Sequence, residues 1–450
     1  MSAAPELDVA VVGAGPAGLT AAHELRRAGC REVRVYERSP QVGGRMRTLR
    51  HRGWTVDTGA EQLSARGYHA TWELLRRMDV APHDVTRVGA GLAVWREGRA
   101  RYGVGEPTAP LTGAGLAPRA RLDLLRLLTG AALARPGAAT LRDLTHRYHP
   151  DLHDYLFQPV AGCFFGWDAA RSAAAPLLDI LRECGAPSAW LTYRDGMDFL
   201  ARRLAADLDV VTDRTVREVV DEGDRAVLRF ADGDAVTARA VVLAVPAPVA
   251  VALRPELPPD EVPFLTASSF TPMLKVSCLL RRPLHPAGDR PVHVLLTPAV
   301  EEAELSGVVV DHAKHPGRAP AGHGLISLVA APARVPELLA ASEEEAARLL
   351  TRAAERYVPG LGEPDAVVRH FVHAFRHGLP EARPRALHER PAFLARPARA
   401  VEYAGDWVML RPAAEGAVRS GALAASRVLS HLGRPVPSGT ERTEPNRAAA

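Results

Sequence analysis

The chain has 450 residues, a length that allows about three domains, although interleaved two-domain architectures of this size are ordinary. Hydrophobic residues make up 47% and charged residues 24%, the balance of a globular protein with a sizeable core. Net charge is +4 with pI about 9.0, and the basic residues are scattered rather than gathered in runs, which argues against nucleic acid as a partner.

The N-terminal MSAAPELDVAVV shows no basic region followed by an apolar segment and a cleavage site, so a cytoplasmic location is expected. Residues 8 to 37, DVAVVGAGPAGLTAAHELRRAGCREVRVYE, lay out a strand, a glycine-rich turn, a helix and a second strand ending in an acid. That is the order of a dinucleotide-binding βαβ unit. Val9, Val11 and Val12 suit a parallel strand buried on both faces. Gly13 allows the tight turn, Gly15 lets the backbone approach a pyrophosphate, and Gly18 with Ala22 lets the helix pack closely on the sheet. The helix N-terminus then favours an anion. Glu37 follows at the end of the second strand, where its carboxylate would accept both hydroxyls of an adenosine ribose and repel a 2′-phosphate. The motif by itself does not choose between NAD and FAD.

After Glu37 comes a loop, SPQVGGRMRT, then a strand around Trp54, Val56 and Asp57. Helical periodicity predicts helices over Thr71–Met78, Ala120–Leu133, Leu141–Tyr148 and Asp151–Val160. From Asp209 the pattern turns to short strands, VVTD, TVREVV, AVLRF and ARAVVLAV, with ADGD (Ala231–Asp234) as a hairpin turn. Further strands are expected at Leu274–Leu280, Val292–Leu296, Val308–Val310 and Leu325–Val329, and a helix with an acidic first turn at Ser342–Tyr357. The polar, proline-bearing tail 433–450 is expected to be disordered.

The longest apolar run, Ala240–Leu253, is broken by Pro246 and Pro248 and falls short of the about 20 residues that span a bilayer, which leaves only peripheral membrane contact open. Cys30, Cys163, Cys184 and Cys278 are widely spaced, so neither a zinc site nor a disulfide framework is expected. Only two of the 56 basic residues are lysine, Lys275 and Lys314.

GGRMRT, placed directly after the acid-ended strand, resembles the GGR motif of the flavin amine oxidase, protoporphyrinogen oxidase and phytoene desaturase superfamily. The resemblance recurs in order through DTGAEQL (57–63), FQPVAGCFFGWDAARSAAAPL, LTYRDGMDFLARRLA, TVREVV with ADGDAVTARAVVLAVPAPVA, and FRHGLPEARP, where His377 stands in place of a frequent tryptophan. It closes on VEYAGDWVMLRPAAEGAVRSGALAA, so that it covers residues 8 to 430. What it implies is an α/β fold in which a Rossmann-like FAD-binding domain (1–75, 195–255 and 380–432) is interleaved with a mixed-sheet plus helical substrate domain (76–194 and 256–379).

The resemblance selects FAD as cofactor and gives each segment a role. Gly44 and Arg45 would approach the ribityl and pyrophosphate region, where a guanidinium suits phosphate oxygens. Val216 would lend backbone groups to the adenine edge, and Asp406 would hydrogen-bond the ribityl or phosphate side. The helix opening near Glu415, Gly416 and Ala417 would aim its N-terminus at the flavin N1 and C2 carbonyl, stabilising negative charge there. Lys275, in FTPMLKVSCLL, matches the lysine that amine oxidase relatives place near flavin N5 to hold a water and assist reaction with oxygen. Period-two alternation puts it on one face with Met273, Ser277 and Leu279.

Ala413 stands where amine oxidases often present a cage tyrosine, and no cysteine follows Cys278, so FAD is expected to be non-covalent. Tyr403 is read as structural; Trp167, Trp190, Tyr193 and His377 are candidates to line the substrate cavity. No metal site is expected. The expected reaction is hydride transfer from a C–N or C–C bond of a small or medium hydrophobic substrate to the flavin, with molecular oxygen as acceptor. The alternatives are a protoporphyrinogen oxidase- or carotenoid desaturase-like enzyme that forms C=C bonds, and a non-catalytic FAD-binding protein.

Overall fold

In the computed structural model, residues 6–130 and 139–436 are described. The first seven-stranded sheet runs in the order Asp209–Val211, Val33–Tyr36, Leu7–Val12, Ala235–Leu243, Ala226–Phe230 and Val216–Asp221, with Val401–Tyr403 added parallel to the end of Ala235–Leu243. The first four of these are mutually parallel, and the last two close it as antiparallel hairpin strands.

Alternation along Leu7–Val12 divides this sheet between two cores. Val9 and Val11 pack with Leu19 and Leu25 of the helix Pro16–Arg27 and with Val428 of Ala414–His431. Ala10 and Val12 face the opposite side with Val241, Leu243, Phe264 and Trp407. The two helices approach so closely that a Cβ on Gly421 would lie 2.3 Å from the Ala17 carbonyl oxygen.

The second seven-stranded sheet has the order Val367–Glu381, Ser269–Leu280, Gly324–Ala330, Leu305–Val310, Val292–Leu296, Gly91–Arg96 and Arg99–Tyr102. Its outer face is covered by the helix Glu343–Ala354, where Leu350 packs with Val276, Leu328 and Val308. Ser342 caps that helix by accepting from the Glu345 N–H, and Glu343, Glu344 and Glu345 complement the helix dipole. The inner face presents Lys275, Val329, Val309 and Val294 to a cavity.

Several elements differ from the sequence expectation. The helical stretch at Asp151–Val160 becomes Pro150–Leu152, a π-helical turn His153–Phe157 and Gln158–Phe165, because one extra residue per turn is accommodated before Pro159. Leu141–Tyr148 shortens to Leu141–Thr145, and the helix expected at Ala120–Leu133 is Pro118–Gly130 as far as the described residues extend. Val367–Glu381 is a 15-residue strand that the sequence pattern did not reveal. It lies at a sheet edge, half-exposed, and its histidines and arginines blur the alternation that marks a strand. Most of the tail expected to be disordered, 437–450, lies outside the described residues. Among those residues no helix is long and apolar enough to cross a membrane, and all four cysteines are buried and free.

Candidate functional site

A cavity of about 1220 Å³ extends from the C-terminal ends of Leu7–Val12 and Val33–Tyr36 to the inner face of the second sheet. Its position matches the crevice at the carboxyl ends of parallel strands where α/β proteins take nucleotides. It exceeds the 300–1,000 Å³ or so of a typical single-ligand pocket, leaving room for a dinucleotide with a second molecule beside it.

At the first-sheet end lie Gly13, Gly15, Glu37, Gly44 and Val216. Gly13 has φ +104°, and a Cβ there would stand 2.6 Å from the Ala244 carbonyl oxygen. A Cβ on Gly18 would meet the Gly13 oxygen at 2.0 Å, so Gly18 is confined to packing and does not line the cavity. Gly15 differs: nothing lies within 4 Å of its would-be Cβ, and the Cβ of Gly44 would first meet Gly15 itself at 3.4 Å. The two glycines thus leave a backbone cradle that a side chain would fill, which fits a pyrophosphate. The Glu37 carboxylate accepts from the N–H groups of Ala14 and Ser39, each at 2.9 Å, and so ties the glycine turn to the second strand.

Arg45 and Asp406 both reach the cavity and pair with each other, at 2.7 and 3.0 Å, while Arg45 also donates to the Gly378 carbonyl at 2.9 Å. The helix Ala414–His431 opens at the cavity through Pro412, Ala413, Ala414 and Ala417. Of the three residues named at this helix opening, Ala417 lines the cavity while Glu415 and Gly416 do not, as a helix of 3.6 residues per turn requires of positions beside an inward-facing one. The Glu415 carboxylate accepts from the Ala70 N–H at 3.1 Å and from the Thr71 N–H and hydroxyl at 2.9 Å, capping the helix His69–Arg77. A Cβ on Gly416 would lie 2.1 Å from the Arg411 oxygen.

Lys275 stands on the cavity wall, donating to the carboxylate of Glu61 and to the Asp57 carbonyl at 2.5 Å. The sequence reading missed what surrounds it. Lys314 donates to the second oxygen of Glu61 and to Asp57 Oδ2 at 3.0 Å, while Arg318 lies 3.0 Å from the same Asp57 oxygen and Asp311 lies 3.3 Å from Lys314. Burial alone pushes the Glu61 carboxyl up, but Lys275 and Lys314 outweigh it and hold Glu61 well below the usual carboxylate range. Burial, then repulsion from Glu61, pushes the Asp311 carboxyl up to about 6. Burial and the nearby Lys275 charge press His373, opposite Lys275 in register, down to about 3. The signal that could have found this cluster was the scarcity of lysine together with the acid in DTGAEQL.

The same cavity includes an apolar chamber lined by Leu116, Leu124, Leu127, Val160 and Phe164. Trp190 and His377 line the cavity, whereas Trp167 and Tyr193 are buried in the core, Trp167 donating to the Pro380 carbonyl and Tyr193 stacking on Phe199. Tyr403 is buried between Arg254 and Glu261, at 2.6 Å from each. Among the described residues no group of His, Cys, Asp or Glu is arranged to hold a metal ion.

The family model described as flavin containing amine oxidoreductase matches residues 16–429. AofH of Mycobacterium tuberculosis, by name a flavin-containing monoamine oxidase, is 35% identical over 130 residues, which is 29% of this chain and only 28% of that protein's length. Cyclohexylamine oxidase of Brevibacterium oxydans has the same fold, with TM-score 0.74 at 16% identity over 96% of this chain and 100% of its own. So does a protein of Exiguobacterium sp. described as a protoporphyrinogen oxidase, with TM-score 0.73 at 18% identity over 95% and 99%. The chain belongs to the flavin containing amine oxidoreductase family.

Proposed function

We propose that this protein binds FAD non-covalently and oxidises a C–N or C–C bond of a small or medium hydrophobic substrate in the cytoplasm, with molecular oxygen as the final acceptor. The observation that carries this reading is the continuity of one cavity. It joins the Gly15–Gly44 cradle and Glu37 to Lys275 and the apolar chamber. In this reading residues 1–75, 195–255 and 380–432 form the flavin domain.

Glu37 would hold the adenosine ribose, the cradle the pyrophosphate, Val216 the adenine edge, and the Arg45–Asp406 pair the ribityl side. When bound, the flavin supplies the hydride acceptor. The protein's part is positioning and electrostatics. The N-terminus of Ala414–His431 stabilises negative charge beside it, and Lys275 places a cation on the cavity wall. Leu116, Leu124, Leu127 and Val160 bind a hydrophobic substrate body and keep water from it.

A second reading, C=C formation by a protoporphyrinogen oxidase- or desaturase-like enzyme, is favoured by Ala413, which lies on the cavity wall with no aromatic ring to hold an amine. Purified protein is expected to be yellow and to release its flavin on denaturation. Anaerobic bleaching by hydrophobic amines supports the first reading and bleaching by polycyclic or polyene precursors the second. A colourless protein that takes up no added FAD overturns both.

A further inference from the structure

Both lysines of the chain converge on one carboxylate. Lys275, on the strand Ser269–Leu280, donates to one oxygen of Glu61, and Lys314, from the turn Asp311–Lys314, donates to the other. Of this cluster Glu61 and Lys275 line the cavity, while Lys314, Asp57 and Arg318 are at most 1% exposed. Elsewhere this chain uses arginine for every cation. A guanidinium fork tends to engage both carboxylate oxygens at once, whereas each compact ammonium here takes its own oxygen of Glu61.

We propose that Glu61 is a positioning residue: gripped from behind by Lys314, it holds the Lys275 ammonium immobile at the cavity wall, so that Lys275 acts there as a fixed cation. A charge fixed before reaction stabilises negative charge developing beside it at no reorganisation cost. The other ionisable groups around the pair do not supply an alternative anchor. His293 and His373 are kept neutral by burial, and burial pushes the Cys163 thiol up to about 12. Asp311 and Asp57 Oδ2 engage Lys314, and Arg318 is a further cation on Asp57. Among the described residues Glu61 is the one carboxylate that pairs with Lys275.

The consequence for turnover rests on the oxidase reading of Lys275; the fixing of its charge does not. Having only two lysines, the flavin-loaded protein labelled with ¹³C,¹⁵N-lysine gives two side-chain NMR signals, and Lys275→Met assigns them. In Glu61→Gln the Lys275 ammonium protons are expected to exchange with water about tenfold faster or more, because a neutral amide holds the group less tightly than a carboxylate. The Lys314 signal, which keeps Asp57 and Asp311, should change less. Should Glu61→Gln fail to fold, Glu61→Asp, too short to span both lysines, is expected to speed exchange at Lys275 in the same direction. A Lys275 exchange rate within about twofold of wild type in the folded variant overturns the proposal. Faster exchange with unchanged flavin reoxidation upholds the positioning role and instead removes Lys275 from the reaction with oxygen.

Discussion

Arg45 and Asp406, 361 residues apart in sequence, meet in a two-point ion pair on the cavity wall, with Nη1 to Oδ2 at 3.0 Å and Nη2 to Oδ1 at 2.7 Å. The pair joins GGRMRT to AGDW, so each motif orients the other's side chain before any ligand arrives. Arg45→Lys keeps the charge but loses the fork geometry. It is expected to weaken FAD binding about tenfold, or about 1.4 kcal/mol, in a fluorescence titration of the apoprotein. Wild-type affinity in this variant would mean that the pair is purely structural.

Gly15 and Gly18 should separate binding from folding. Gly15→Val places its side chain in open space at φ −81°. Its apoprotein should melt within about 2 °C of wild type, yet its absorbance ratio at 450 to 280 nm should show no retained flavin. Gly18→Ala drives a Cβ onto the Gly13 oxygen, so it should lower the melting temperature with or without FAD. Equal melting losses in the two apoproteins would argue against the cradle.

Lys275→Met keeps the apolar stem and removes the ammonium, and Lys314 still pairs with Glu61. Stopped-flow mixing of reduced protein with oxygen is expected to show at least a tenfold slower reoxidation, with FAD affinity changed less than threefold, about 0.7 kcal/mol. Unchanged oxygen reactivity would contradict the oxidase reading.

Glu415→Ala removes the acceptor of two N–H groups and one hydroxyl at the start of His69–Arg77. Leaving these donors buried and unpaired should cost about 1–3 kcal/mol of stability in urea melts. The flavin absorption spectrum should not change, since the side chain does not line the cavity.

His293 is completely buried, and burial followed by the Lys314 charge presses it down to about 3. The folded chain therefore keeps His293 neutral while the unfolded chain protonates it below pH 6.5, so its stability contribution is present above 6.5 and lost as pH falls toward 3. His373 acts in the same direction. Asp311, raised to about 6, acts oppositely and gains stability as pH falls through 6 toward 3.8. His293→Leu should remove about 2 kcal/mol of the stability lost between pH 7 and pH 5, measured by denaturant melts at the two pH values. A variant with the wild-type pH slope would show that His293 takes up no differential proton.

Much of the architecture was legible because it is written in local periodicity. Leu7–Val12, Pro16–Arg27 and Val33–Tyr36 follow from alternation, a glycine turn and helical spacing within thirty residues, and Glu343–Ala354 follows from its cap and acidic first turn. Val367–Glu381 was not legible, since an exposed edge strand carries no burial pattern, and the π-helical turn at His153–Phe157 has no spacing signature. Within the site, Glu37 could be named from its spacing and Lys275 from the family resemblance, but Glu61 carries no mark of its own beyond the chain's scarcity of lysine. Its neighbours Lys275 and Lys314 lie 214 and 253 residues away.

Taken alone, the sequence determined the nucleotide-type βαβ unit, the order of the flavin-family motifs and the presence of two solitary lysines. These depend on residue type and short spacing. Tertiary structure decided that Arg45 meets Asp406, that Glu415 caps a helix rather than facing the cavity, and that both lysines share Glu61. Such relations require distant segments to be packed together, because a side chain's partner and direction are set by the elements that surround it and not by its neighbours along the chain.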